Sequence, residues 1–287
     1  MSNFTARDIA DYYNQTMHHY QRWWHLNDNL AVHYGFWEPK TKSFQQALEN
    51  TNVYLLEIAE VQQGERILDA GCGVGGSSFF LAKEKNAKVT GITLSEKQID
   101  FANKKLKEFE LSELVDFKLG DYTDTDFKDE TFDLIWAIES ITTAPDKVKF
   151  AQEAYRILKP GGRLVIADYF KNDEVGSDKN GLLESWRKNW SMSPFLTLFE
   201  YKQCFESTGF ILSKQNDVTD LIYKTSKKLY QISLIGAIPS RIYNFFYLPS
   251  RFTRHHYKSG IYQYKALKQG LWKYHTLVFQ KNLNHKN

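Results

Sequence analysis

Arg66-Ile-Leu-Asp-Ala-Gly-Cys-Gly-Val-Gly-Gly76 reads as a short apolar strand that runs directly into a loop holding four glycines. Glycine lets a backbone adopt turns closed to other residues and approach a ligand closely, and open parallel sheets bind ligands beyond the carboxyl ends of their strands. An apolar helical stretch follows the loop. Four further runs repeat the alternation: Lys88-Val-Thr-Gly-Ile-Thr93, Val115-Asp-Phe-Lys-Leu119, Phe132-Asp-Leu-Ile-Trp-Ala137 and Arg163-Leu-Val-Ile-Ala167, with helical segments between them. This is the signature of a doubly wound parallel α/β sheet. Lys159-Pro-Gly-Gly162 signals a turn ahead of the fifth strand, while Gly209-Phe-Ile-Leu-Ser213 and Lys273-Tyr-His-Thr-Leu-Val-Phe279 supply a sixth and a seventh.

Toward the N-terminus, Thr5-Ala-Arg-Asp8 resembles a helix-capping signal and few turn residues follow as far as Trp24, so a helix is expected there. Tyr13, Met17, Tyr20 and Trp24 recur at helical spacing, which fits an apolar face docked on the core and a lid over a ligand equally well. Residues 1–60 are read as a helical N-terminal lid and 61–287 as the main domain, with an aromatic, basic cap inserted at about 218–271 between the last two strands. Residues 221–287 hold twelve Lys/Arg, thirteen aromatics and no Asp or Glu. The preceding 220 residues carry 25 basic against 34 acidic groups, an asymmetry hidden by the chain's net charge of +3. Basic charge interleaved with aromatics serves nucleic acid, a membrane surface or an anionic greasy ligand, and solvated lysines around buried rings give the same pattern.

The 287 residues, 42% hydrophobic and 25% charged, exclude a disordered, collagen-like or disulfide-stapled chain. Two cysteines, Cys72 and Cys204, make neither a disulfide framework nor a cysteine zinc site, and a reducing compartment is the default. The N-terminus lacks the apolar core of a signal peptide and no run nears the roughly 18 apolar residues of a membrane span, so a soluble, cytoplasmic protein is expected.

The glycine loop also fits a dinucleotide fingerprint, which calls for an acidic residue about 20 positions on to hold a ribose. Here the second strand ends Gly91-Ile-Thr-Leu-Ser95, without a carboxylate. Asp69 instead precedes the glycines, where it attracts a cationic ligand by charge pairing. S-adenosylmethionine carries an ammonium and a sulfonium and no phosphate, so both observations favour it over NAD.

The order of Leu68-Asp-Ala-Gly-Cys-Gly-Val-Gly-Gly76, Val89-Thr-Gly-Ile-Thr-Leu-Ser95 with Gln98, Gly120-Asp121, Ala137-Ile-Glu139 and Leu158-Lys-Pro-Gly-Gly162 resembles the class I S-adenosylmethionine-dependent methyltransferases. Within them it is similar to the branch of sterol C-methyltransferases, tocopherol methyltransferases and cyclopropane fatty acid synthases. The resemblance implies a Rossmann-like, seven-stranded, mostly parallel sheet. It also implies a donor site made by Asp69, Gly71, Cys72, Gly73 and Gly75, by Thr93, Leu94 and Gln98 near the ribose, by Asp121 and Tyr122 at the adenine, and by Ala137 and Ile138. Gln98 equally fits a capping box with Ser95, and Asp121 a turn aspartate. Cys72 reads as a small loop residue, since sulfonium methyl transfer needs no nucleophilic thiol. His33-Tyr-Gly-Phe-Trp37 resembles the segment that lies over the methionine end of the donor in the sterol and tocopherol enzymes, which places His33 and Tyr20 near that carboxylate.

Methyl transfer is an in-line displacement, so the protein supplies alignment and charge matching. Attack by an alkene leaves a carbocation, which aromatic faces stabilise and a carboxylate stabilises or deprotonates. Glu139, with Thr143 and Tyr20, makes the candidate catalytic set. The sterol enzymes' pattern Ala-Ile-Glu-x-x-x-His-Ala-Pro reads here Ala137-Ile-Glu-Ser-Ile-Thr-Thr-Ala-Pro145, with Thr143 in place of the histidine. The Glu-His pair of the cyclopropane synthases would fall at Thr142-Thr143, which disfavours cyclopropanation. The expected acceptor is a small hydrophobic isoprenoid, as a prenyl diphosphate, sterol-like compound or quinol, methylated on carbon. A diphosphate would bring Mg²⁺ with it and meet Arg241, Arg251, Arg254 and Lys258 among Phe246, Tyr247 and Tyr257. Peripheral contact with a membrane is the other use of that segment. Nucleic acid is not expected, because Glu139-Ser-Ile-Thr142 is unlike the Asp/Asn-Pro-Pro-Tyr of base-amine methylases. The alternatives are N-methylation of a small amine and a non-catalytic donor-binding protein. The sequence leaves the oligomeric state open.

Overall fold

A strand such as 66–70, apolar on both faces, needs cover on both sides of its sheet. The computed structural model, which describes residues 4–247 and 249–283 apart from the side chains of Tyr243 and Asn244, supplies it. In chain order the elements are α1 (Ala6–Trp23), α2 (Leu26–Asn29), α3 (Phe44–Ile58), β1 (Arg66–Ala70), α4 (Gly76–Lys85), β2 (Lys88–Thr93), α5 (Glu96–Glu108), β3 (Val115–Leu119) and β4 (Phe132–Ile138). A 3₁₀ turn at Ile141–Thr143 precedes α6 (Lys147–Ile157), β5 (Leu158–Lys171), α7 (Leu182–Asn189), α8 (Leu198–Glu206), β6 (Phe210–Asp217), α9 (Thr219–Phe246), α10 (His256–Lys268) and β7 (Trp272–Lys281).

The seven strands form one sheet in the order β3-β2-β1-β4-β5-β7-β6. β1 to β5 run parallel, and β7 is antiparallel to both β5 and β6. Successive side chains alternate between two cores. Ile67, Leu134, Trp136 and Val165 pack on one face, and Leu68, Ile135, Ala137 and Ile166 on the other. The turn expected at 159–162 is absorbed into β5. Leu158 pairs with Phe132, and pairing resumes only at Leu134 with Arg163, so the intervening residues bulge from the strand. β5 also runs past Ala167, because Asp168 to Lys171 find partners in His275 to Trp272 of β7.

The N-terminal helix is fixed by a reciprocal cap. Asp8 N–H donates to Thr5 Oγ1 at 3.2 Å, and Thr5 N–H donates to Asp8 Oδ2 at 2.9 Å. Of its expected apolar stripe, Met17 and the adjoining Trp24 are buried, whereas Tyr13 and Tyr20 wall a cleft. Helices α9 and α10 occupy the stretch between β6 and β7. Among the described residues, no helix is long and apolar enough to cross a membrane.

The glycine loop meets the N-terminal segment at Gly76. A Cβ there would stand 2.0 Å from the backbone carbonyl oxygen of Leu30, whereas one at Gly176 would meet nothing within 4 Å. Gly76→Ala should therefore cost about 2–3 kcal/mol by overpacking, read as a fall in thermal midpoint, while Gly176→Ala stays within about 0.5 kcal/mol.

Candidate active site

Where β1 ends, the N–H groups of Gly71 and Cys72 both donate to Ile92 O at 3.0 Å, pinning the loop against β2. Gly71 has φ +86°, and a Cβ on it would lie 2.4 Å from Ser140 Cβ, so only glycine lets the loop reach the residue after Glu139. Above these strand ends lies a cleft of about 1050 Å³, measured out to open solvent. Asp69, Gly71, Cys72 and Gly73 form its floor, and Thr93, Leu94, Gln98 and Tyr122 one side. Ile138, Glu139 and Thr143 wall it from the end of β4, and His33 and Tyr20 from the N-terminal segment.

Three residues expected in the site do not wall it. Gly75 is not in the cleft surface, and Ala137 is turned into the core beneath. The carboxylate of Asp121 accepts the N–H of Thr123 at 2.8 Å, the bond of a turn aspartate.

The polar walls are specific. Asp69 is 3% exposed and accepts from Ser78 Oγ at 2.6 Å, and its burial pushes its pKa up to about 7. Thr93 Oγ1 donates to Gln98 Oε1 at 2.7 Å, so the Gln98 side chain does not return to Ser95. Ser95 caps α5 through Gln98 N–H, and the expected reciprocal capping box does not close. Burial raises the Cys72 thiol far above its ordinary range, which leaves it inert. His33 Nδ1–H donates to Tyr34 O at 2.9 Å; its Nε2 has no partner, and burial lowers its pKa to about 4, so the ring is neutral. Thr143 Oγ1 and Tyr122 OH both donate to Ser140 O at 2.7 Å.

Glu139 has a positive φ of 51° and accepts three hydrogen bonds at the cleft wall. Tyr34 N–H at 2.7 Å and Tyr274 OH at 2.8 Å donate to Oε1, and Tyr169 OH donates to Oε2. Burial nevertheless pushes its pKa up to about 8. Tyr34, Tyr169 and Tyr274 were not foreseen as site residues. Tyr34 stands beside His33 in a segment already singled out, and Tyr169 lies at the carboxyl end of the fifth strand, where strand position was a usable signal. Tyr274 comes from β7 and had none.

A second chamber of about 630 Å³ shares Tyr20 and Trp190 with the cleft. Trp23, Trp24, Leu229, Ile232 and Tyr257 line it, with Ser233 and Gly236 from α9. At its edge His256 Nε2 lies 2.9 Å from Tyr12 OH, which lies 3.0 Å from Tyr20 OH, and His19 Nδ1 is 3.2 Å from His256 Nδ1. Among the described residues, no Lys or Arg walls either cavity. Of the cap residues expected around a diphosphate, only Tyr257 walls the chamber. Arg251 is instead ion-paired with Asp8 and lies over Phe252.

Residues 61–232 match a family model described as a methyltransferase domain. Methyltransferase GfsG of Streptomyces halstedii is 32% identical over 218 residues, covering 75% of this chain and 77% of that protein. The chloroplastic tocopherol O-methyltransferase of Arabidopsis thaliana is 32% identical over 196 residues, 64% of this chain and 54% of that protein, so the chain spans about half of that relative's length. Among solved structures, the cyclopropane synthase MmaA2 of Mycobacterium tuberculosis superposes with a TM-score of 0.82 over 97% of this chain and 99% of that one, at 16% identity, a likeness of fold alone. The chain belongs to the methyltransferase-domain family and is a class I S-adenosylmethionine-dependent methyltransferase.

Proposed function

We propose that the protein methylates an uncharged hydrophobic small molecule, an isoprenoid such as a quinol or sterol-like compound, on carbon. One observation carries this reading: the chamber that adjoins the cleft, with Tyr20 and Trp190 in the walls of both, is lined by tryptophan, leucine and isoleucine and, among the described residues, by no Lys, Arg, Asp or Glu. An apolar chamber favours a greasy acceptor. The absence of Lys and Arg from the walls argues against a diphosphate and its Mg²⁺, and the absence of a carboxylate from the chamber argues against a cationic amine.

S-adenosylmethionine, when bound, supplies a methyl group activated on a sulfonium. The cleft suits such a donor, with Asp69 and Glu139 in its walls and, among the described residues, no Lys or Arg and two buried atoms without a partner, His33 Nε2 and Ser140 Oγ. Asp69, Thr93 and Gln98 would hold its polar groups and Tyr122 its ring, with the loop glycines beneath. α1 serves as the lid and the segment holding α9 and α10 as the cap. On the acceptor side, Tyr20 and Trp190 offer π faces to developing positive charge. Glu139 takes the proton released when the methylated carbon restores its double bond or aromatic ring, holding it on Oε1 or Oε2. Thr143 is a positioning residue, since its hydroxyl is committed to Ser140 O.

A second reading, O-methylation of a hydroxyl, is favoured by the Tyr20, Tyr12 and His256 chain, which ends in an imidazole kept neutral by burial, its pKa lowered to about 3. Labelled methyl transfer to a panel of quinols, sterols and prenols, with the product identified by mass, tests both. For carbon methylation, Glu139→Gln lowers kcat by about 10²-fold or more, and wild-type kcat rises with pH through about 8 as Glu139 ionises. If oxygen is the acceptor atom, His256→Gln carries the loss and Glu139→Gln is the milder change. No labelled product from a panel that includes small amines overturns the methyl-transfer reading of the acceptor site.

Donor binding should be proton-linked. A cationic ligand favours ionised Asp69, so affinity rises with pH through about 7 and binding releases protons below it. Calorimetry in buffers of different ionisation enthalpy measures this, and Asp69→Asn should weaken binding and flatten the pH dependence.

A further inference from the structure

Helix α9 has two unlike faces. One, with Leu229, Ile232, Ser233, Gly236 and Ser240, forms a wall of the inner chamber. The opposite face starts with exposed Lys224 and Lys227 and ends in an apolar ridge. On it Ile235 is 67% exposed, Ile238 68%, Phe245 84% and Phe246 72%. Arg241, exposed, flanks the ridge. Large apolar side chains this open, gathered on one helix face, mark an interaction surface rather than scattered surface residues.

We infer that this face of α9 is a docking surface for an anionic membrane, with the ridge seated among the acyl chains and Arg241, Lys224 and Lys227 at the headgroups. Interfacial helices combine these parts: apolar side chains that sink about 5–10 Å below the headgroups and basic ones that meet anionic lipid. The charge of the surroundings is complementary to such a surface, since residues 221–287 contain twelve Lys/Arg and no acid. The same charge disfavours a second copy of the chain, because a two-fold contact would set Lys224, Lys227 and Arg241 against their own kind. The membrane also answers a need of the chamber one helix-width away, for an acceptor that partitions into lipid is concentrated there. This part rests on the proposed hydrophobic acceptor; the docking itself does not.

The test is co-sedimentation of the full chain with phosphatidylcholine vesicles, with and without phosphatidylglycerol. The expected result is binding to the anionic vesicles that weakens with added salt and falls about tenfold or more in the Ile238→Ser/Phe245→Ser double variant. That variant should keep its thermal midpoint and its methyl transfer to a detergent-dispersed quinol panel. Failure to bind anionic vesicles, equal binding to neutral ones, or unchanged binding by the variant overturns the inference. So does a wild-type dimer that the variant disperses, which assigns the ridge to a second copy. Vesicle binding without methylation of any hydrophobic acceptor would sink the acceptor reading and leave the docking surface intact.

Discussion

The close approach of backbones at the glycine loop is the constraint on which the rest of the molecule depends. Gly71 lies so near Ser140 that no side chain fits between them, and Gly76 lies equally near the carbonyl of Leu30. The first contact draws the end of β4, and with it Glu139, onto the floor of the cleft. The second brings the segment after α1 over the same floor, carrying Ala31, Val32 and His33 into the wall. Three parts of the chain distant in sequence thus converge because one loop has no Cβ atoms in the way. Packing this tight yields little, so a methyl group added at Gly76 displaces the backbone of Leu30, and one added at Gly71 displaces the Cβ of Ser140, which rotation about χ1 cannot move aside.

Convergence has an electrostatic consequence. Asp69 and Asp168 are buried and Glu139 partly so, and desolvation raises the pKa of each, to about 7 for Asp69 and about 8 for Glu139. Hydrogen bonds offset part of that desolvation: Ser78 for Asp69, three donors for Glu139, and the N–H groups of Thr142 and Tyr169 for Asp168. Asp168 also interacts with Lys147, whose own pKa is lowered by burial. Desolvation of this kind brings carboxyls toward protonation near neutrality, and two of the three, Asp69 and Glu139, line the cleft. Around Glu139 the rings of Tyr34, Tyr169, Tyr274 and Trp272 pack edge to face, fixing the hydroxyls that donate to it.

The inserted segment extends this frame. Its small residues, Ser233 and Gly236, leave room for the chamber beside Leu229 and Ile232, while Ile235, Ile238, Phe245 and Phe246 face outward. The Arg251 and Asp8 pair joins the segment to the start of α1. Exposed ion pairs contribute little to stability, so its significance is location: it lies between α1, which lines the cleft, and the segment whose α9 and α10 line the chamber.

The sequence by itself determined the sheet. Strands of period two and helices between them follow from local hydrophobic pattern and turn chemistry, and all seven strands and the capped first helix were legible there. The glycine loop and the carboxylates Asp69 and Glu139 were legible too, because strand ends are marked in sequence. The tertiary structure decided what surrounds them. Tyr274 reaches Glu139 from a strand 135 residues away, and His256 reaches Tyr12 across 244; no local pattern encodes such pairings. The arginines of the cap were marked by composition, and the fold adds the pairing of Arg251 with Asp8, 243 residues away. Asp121 was marked by its place after β3, and the fold adds a bond from Thr123 N–H, two residues on, to its carboxylate. Local periodicity specifies elements, whereas side-chain partners are specified by how those elements pack, which the chain settles only when its burial is complete.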